Sequence, residues 1–506
     1  MTSQNTRRTI VALSALVVVG LGASGWIWVH RKANHELIEA LEDARAHLPS
    51  GVEFTWSKAV ALPATHGARL TDVVLKDPSG TFSAAMIELI GATIMNDGRD
   101  DASPTAERSP LHFDHVLAHT LHISSATGTL DTKRLSLDGV TLPSPSEDQF
   151  AKLTIDHGEL THAVLTQADG KAFLAAEEGI LDQYGIGRIS RLTVRKLELE
   201  EADPPKQGLL IGKLVSDGAD LASTAQAALN GQGALLADGN LSLVVDDLES
   251  RGAFGGPNAS IQKLASVEKA HIHINTADQK RRVTEGLTHL RVWPTAPQTS
   301  VIKALGYDKF DGDVVLNAIV DFGADVAHVT QLDIHAPKWG RLDLAGDFTH
   351  VTTPLGWLPV PFFSHLDISW RDGGLVSRML NTAAVAQGMD PDAYVALLRR
   401  ALAPKNASPD SVGRQLADYL AAPEAGTLTA MLAPPQPMPI SVLAELGALP
   451  AHPEIADKLG LTVQAPAKDR SEPAPQLPDP NQTTDEPDDP SILAPATPPS
   501  LATPKL

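Results

Sequence analysis

From Gly51 to about residue 370 the chain keeps one rhythm: apolar and polar residues alternate for a few positions, then a glycine or an Asp-Gly pair intervenes. A period of two is the mark of a strand with one buried face. It is carried by Val52, Phe54 and Trp56, by Leu135 and Leu137, by Leu241, Leu243 and Val245, by Ile272 and Ile274, and by Leu342 and Leu344. In "RLTVRKLELE" the apolar set Leu192 and Val194 shifts by one residue at Arg195-Lys196 and resumes at Leu197 and Leu199. Such strands must stack their apolar faces on one another or around something apolar, and a curved sheet of this kind can leave a groove along its inside. The pattern predicts a mainly β fold, an elongated, curved, antiparallel, repeat-like sheet.

Both ends break the rhythm. Ile10 to Val29 form an uncharged, mostly apolar run of about the ~20 residues that span a bilayer as helix, with Arg7 and Arg8 before it and acidic Glu36, Glu39, Glu42 and Asp43 after it. That charge order places residues 1–9 in the cytoplasm and the body outside it. Ala23-Ser24-Gly25 offers a small-residue cleavage site, whereas Trp26 and Trp28 suit an interfacial belt that keeps the segment as an anchor. Leu37, Leu41, Ala44 and Leu48 then repeat at helical spacing until Pro49-Ser50-Gly51, either a separate amphipathic helix or a continuation of the membrane helix. Beyond Gly373-Gly374 the period lengthens again. Asp390-Pro391 and Ser408-Pro409 read as N-caps followed by proline in the first helical turn, "GTLTAML" (426–432) as a strand, and "LGLTVQA" as the close of the folded part. Residues 466–506 hold eleven prolines and few large apolar side chains, the composition of a disordered tail. The expected division is therefore a cytoplasmic stub (1–9), a transmembrane anchor (10–29), a juxtamembrane helix (30–50), a β-rich body (51–370), a small α/β cap (371–465) and an acidic, proline-rich tail (466–506).

Composition narrows the partners. The 506 residues include no cysteine, so disulfides, thiolate metal sites and a cysteine nucleophile are excluded. A net charge of -20, with no long basic run, argues against nucleic acid. No G-x-S-x-G, H-E-x-x-H or phosphate-cradling glycine loop with lysine is present, so no enzyme activity, catalytic residue or cofactor is expected.

The densest candidate chemistry is "LHFDHVLAHTLHIS" (111–124). On a helix, His112, His115, His119 and His122 would share one side within an arc of ~80°, a possible metal site. On a strand, simple alternation splits them: His115 and His119 on the face of Leu111 and Phe113, His112 and His122 on the other. His115 and His119 would then stand about 13 Å apart, too far to share an ion whose ligands lie near 2 Å. Continuity with the neighbouring strand pattern favours the strand, with no metal. In "HIHIN", His271 and His273 share a face opposite Ile272 and Ile274, and two ligands are too few, so a wet pair is expected.

One element carries a resemblance. Leu70, Asp72, Val73, Val74, Leu75, Asp77, Pro78 and Gly80 form an L-x-D-V-x-L-x-D-P-x-G unit between two strands, behind an anchor; "GTLDTKRLSLDGVTL" (128–142) and "GRISRLTVRKLELE" (187–200) echo it. The arrangement resembles the opening unit of AsmA-like and TamB-like envelope proteins. "ALGYDKFDGDVVLNAIVDF" with "GRLDLAGDF" looks like AsmA-related alphaproteobacterial proteins of unknown function. The resemblance implies an inner-membrane anchored, periplasmic β body tied to lipid movement and outer-membrane maintenance, with phospholipid and envelope proteins as partners. The chain is too short for the full membrane-to-membrane bridge of the long members. The alternative expectation is a bitopic periplasmic scaffold that recruits partners through its sheet edge and proline-rich tail.

Overall fold

The protein is described by a computed structural model covering residues 33–467, apart from 47, 49, 95–109, 144–152, 171, 202–206, 230–238, 254–260, 296–297, 352–360, 405–406, 450–451 and 453. The expected anchor and all but the first residues of the expected tail lie outside the described residues. Among those described, no helix is long and apolar enough to cross a membrane.

The fold is mostly β, and its described strands belong to one antiparallel sheet. β1 (Glu53–Thr55) and β2 (Lys58–Leu62) form one edge, both paired with β3 (Gly67–Asp77). β4 (Gly80–Ile90) follows, and its continuation β5 (Thr93–Ile94) shares the same neighbour, β6 (Leu111–Ser125). The chain then steps one strand at a time through β7 (Gly128–Leu142), β8 (Ile155–Gln167), β9 (Ala172–Tyr184), β10 (Ser190–Glu201) and β11 (Gln207–Ala219). β12 (Gly239–Gly252), β13 (Gln262–Ala277), β14 (Lys280–Val292), β15 (Phe310–Asp321), β16 (Val326–Ala336), β17 (Gly340–Thr349) and β18 (Phe362–Asp372) continue it. β19 (Thr427–Leu432) and β20 (Met438–Pro439) lie side by side along β18, and β21 (Leu461–Ala467) is the last edge. From β6 to β19, sequence neighbours are thus sheet neighbours. The strands after residue 371 extend the body's own sheet.

Helices attend the two ends. α1 (Ala33–Ala46) buries Leu37, Leu41 and Ala44 in a cluster with Phe54, Leu70 and Leu75, so it is a helix packed on the sheet. Two shorter helices interrupt the meander, α2 (Leu221–Leu229) and α3 (Gln298–Ala304). α4 (Leu375–Ala386), α5 (Pro391–Leu402), α6 (Val412–Tyr419) and α7 (Glu454–Leu459) follow β18. Asp390 caps α5 as its sequence indicates, its side chain accepting from the N–H groups of Asp392 and Ala393. Ser408-Pro409 does not start α6: these residues form a turn, and Ser411 is the cap, accepting from Arg414 N–H. Each open sheet edge receives an amide side chain. Asn34 Oδ1 accepts from Ala61 N–H at 2.7 Å on β2, and Gln415 Oε1 accepts from Ala465 N–H at 2.8 Å on β21, which blunts the unpaired backbone row that invites edge-to-edge association.

Two creases cross the strands, one from β3 to β14 and a second from the end of β4 to β11. The first passes through Asp72, Ala85, Thr120, Lys133, His162, Glu177, Lys196, Gly212, Asp247, Glu268 and His289, positions that face each other strand by strand. On every strand of one direction the crease residue is left-handed: Asp72, Thr120, His162, Lys196, Asp247 and His289 have φ between 49° and 55°. The second crease passes through Gly91, Asp114, Gly139, Asp156, Gln183, Ser190 and Gly218, and here the left-handed residues, Gly91, Gly139, Gln183 and Gly218, sit on strands of the opposite direction. The two lines stay six positions apart, as in Asp114 and Thr120, Lys133 and Gly139, or Asp156 and His162, a separation of about 20 Å at ~3.3 Å per residue.

Each crease resets the alternation by one residue, so apolar side chains return to the same face on both sides of it. At the first, nearly every crease side chain is exposed, while Val73, Ala84, Leu121, Ala163, Ala176, Ile211 and Val267 next to it are buried. A sheet bent toward that face, with bulges and glycines at the bend, produces this distribution. The L-x-D-V-x-L-x-D-P-x-G unit now has a physical reading. Asp72 is the crease, held by a 2.7 Å hydrogen bond from Ser57 Oγ, and Asp77 closes the hairpin by accepting from the N–H groups of Ser79 and Gly80.

Candidate functional site

In-register pairing turns single apolar positions into rows across the bent face. On the wall beyond the first crease, Phe54, Leu75, Phe82, Ile123, Leu130, Leu165, Leu174, Leu199 and Leu209 each pair with the next. Their chemistry is constant and their burial is not. Phe54 and Leu75 are 4% exposed, whereas Leu165 is 46% and Leu199 43% exposed. Between the creases two more rows form a floor: Leu70, Ile87, Ala118, Leu135, Leu160, Gly179, Val194, Leu214, Val245, Ala270 and Leu287, and beside it Ala68, Leu89, Val116, Leu137, Gly158, Leu181, Leu192, Ser216, Leu243, Ile272 and Glu285. From β8 onward most leucines and valines of the floor are only half-buried. The result is a shallow apolar trough, filled at its α1 end and open to solvent in its middle. A partly exposed apolar row of this kind is a candidate binding surface.

The histidine-rich segment is a strand, β6, as the alternation indicates. Its histidines are not split between two faces. Creases at Asp114 and Thr120 each shift the phase, so Leu111, Phe113, Val116, Ala118, Leu121 and Ile123 all join the core cluster while the four histidines lie opposite. Three are spent on neighbours across the sheet, His115 pairing with Asp138 at 2.5 Å, His122 with Asp131 at 2.6 Å and His112 sharing a 3.0 Å hydrogen bond with Thr141 Oγ1, while His119 stands opposite Arg134 in the register. The same cross-strand pair recurs in His157–Asp182 at 2.5 Å and His328–Asp347 at 2.6 Å. The hydrogen bond to Asp182 raises the His157 pKa, against the lowering effect of its partial burial. Among the described residues no group of histidines and carboxylates is placed to hold a metal ion.

The expected wet pair at 271 and 273 is half right. His273 is exposed, but His271 is only 9% exposed, because its ring lies in the notch above Gly286 on the next strand. Burial lowers its pKa, with Lys269 adding to the effect, and Nε2 has no protein partner.

A second concavity lies on the opposite, polar face of the sheet's far end. Bulges in β15 to β18 curve this part, and a cavity of about 420 Å³ opens there, its lining mixing polar Gln331, Asp343, Asp367 and Gln464 with apolar Leu344, Ala345, Ile368, Ala430 and Met431. The alternation of apolar and polar residues carries no sign of this cavity and little of the creases. Only the phase change at Arg195-Lys196, now the crease at Lys196, signalled one of them.

Residues 320–466 match the model of a family described as "Uncharacterized protein". No curated protein matches the chain. The matched stretch contains this cavity and the terminal helices, and the trough lies outside it.

Proposed function

We propose that this chain is a non-enzymatic envelope protein of AsmA-like character, anchored in the inner membrane by residues 10–29, whose periplasmic body holds or passes lipid in the trough. The observation that carries this reading is the wall row: side chains of one chemistry run from Phe54 and Leu75, packed with α1, to Leu165 and Leu199, which face solvent. Covering such leucines recovers roughly 25 cal/mol per Å² of apolar surface, and an acyl chain is the simplest long, narrow, apolar body that fits a row. The apolar run before α1 and the family resemblance support a surface beside a membrane. A scaffold that recruits through its sheet edge is less favoured, since Asn34 and Gln415 occupy part of both edges. Lipid extraction and mass spectrometry of the protein purified from its membranes test the proposal. Stoichiometric phospholipid, reduced when Leu165 and Leu199 are both replaced by Asp, is the expected result; a lipid-free protein that cannot be loaded from vesicles would overturn it.

A further inference from the structure

Both floor rows are apolar, glycine or serine from β3 to β14 except at their far end. There the row through Leu243 and Ile272 reaches Glu285, and then continues to Leu316. Glu285 shares its strand face with Val283 and Leu287, and Leu287 packs in the same cluster as Val245 and Ala270. A carboxylate therefore stands half-buried in an apolar lining. An ionised group in such a place is costly unless a cation or hydrogen-bond donors meet it. Among the described residues no lysine, arginine or histidine forms an ion pair with Glu285, and the nearest cation on the same strand face, Arg281, is turned onto the Phe322 ring at 4.9 Å and onto Thr276. The carboxylate is not sealed in either, so an incoming group can reach it.

We infer that Glu285 selects among lipids, taking the protonated amine of an amine-headgroup phospholipid such as phosphatidylethanolamine while the acyl chains lie along the floor and wall toward β8. The inference rests on the trough being a lipid site and adds the headgroup to it. Charge complementarity carries it: Glu285, the one charged residue in the two described floor rows, welcomes an ammonium and repels a headgroup whose only charge is phosphate. An amine also supplies the N–H donors that a carboxylate, which can only accept, requires. From Glu285 on β14 to Leu165 on β8 the trough crosses six strand spacings, about 29 Å at ~4.8 Å each, enough for an extended acyl chain.

The test uses the full-length protein with Glu285→Gln and Glu285→Asp variants, each exposed to vesicles of equimolar dioleoyl phosphatidylethanolamine and dioleoyl phosphatidylglycerol, re-isolated, and its lipid quantified by mass spectrometry. Wild type and Glu285→Asp should be enriched in the ethanolamine lipid about fivefold over the vesicle ratio, the effect of one charge-assisted hydrogen bond in a half-exposed site. Glu285→Gln should carry as much lipid at close to the vesicle ratio. Equal ratios in wild type and Glu285→Gln, with lipid bound, overturn the role of Glu285 and leave the trough reading standing. An absence of lipid from every protein overturns both. A fivefold bias abolished by millimolar free ethanolamine, with the lipid load itself displaced, would make the ligand a small amine and overturn the assignment to a lipid.

Discussion

The strands up to β7 and those from β8 to β14 are built alike and end differently. Both have the first crease, the same pairing and the same apolar rows, yet only the first group has α1 against it and a dense cluster that includes Phe113 at 0% exposure. In the second group the cluster shrinks to Ile211, Val245, Val267 and Ala270 with half-buried leucines around them. Identical local grammar therefore yields a core where another element covers it and a surface where none does. A hydrophobic position in a strand records that it faces the apolar side, and says nothing about whether that side is closed.

The contrast can be broken at its closed end first. Phe113→Ala should destabilise the protein by about 3–5 kcal/mol, the range for deleting a fully buried aromatic, while Leu199→Ala in the open stretch should stay within ~0.5 kcal/mol; urea unfolding compares the two. A comparable loss at Leu199 would mean the trough is as closed as the N-terminal core. The creases come next. Gly139 has a φ of 60°, and a Cβ there would fall on the Asp156 carboxylate, so Gly139→Ala should cost at least the ~1–2 kcal/mol of a left-handed residue. Thr120, β-branched at a φ of 50°, should gain up to ~1 kcal/mol as Thr120→Gly, read as a rise in Tm. Asn34→Ala, which frees the edge amide of Ala61, should cost about 1 kcal/mol and raise self-association in size-exclusion chromatography.

The smallest effect is on the outer face. The Asp182 hydrogen bond raises the His157 pKa above its ordinary 6.5. The stabilisation from this pair is therefore present below that value and lost as pH rises through the folded-state pKa. His157→Asn should lower Tm at pH 5, with the difference from wild type shrinking toward pH 8. A difference that grows with pH would mean the histidine is neutral in its pair.

Much of the architecture was legible because period-two alternation is a direct projection of sheet geometry onto sequence. Leu192 and Val194, Leu241 to Val245 and Leu342 and Leu344 all fall in strands of the one sheet. What alternation cannot carry is the left-handed residue that restarts it. Where the residue is Gly139, the Asp-Gly pair shows only as a break in the alternation; where it is Thr120 or His162, nothing in the side chain announces it. That is why the four histidines of β6 were divided between two faces when the backbone gathers them on one. Glu285 was hidden for a related reason: its inward direction depends on the register of its neighbours, a property of three strands and not of one.

The constant six-residue interval between the creases has a consequence for how such a molecule can change length. The number of residues between strands varies, from the tight turn at Asp77-Pro78-Ser79-Gly80 to the 16 residues between β5 and β6, while the interval does not. The cross-section is encoded within each strand separately, and so a hairpin inserted or removed with its own pair of bends would alter how far the trough extends without changing its gauge.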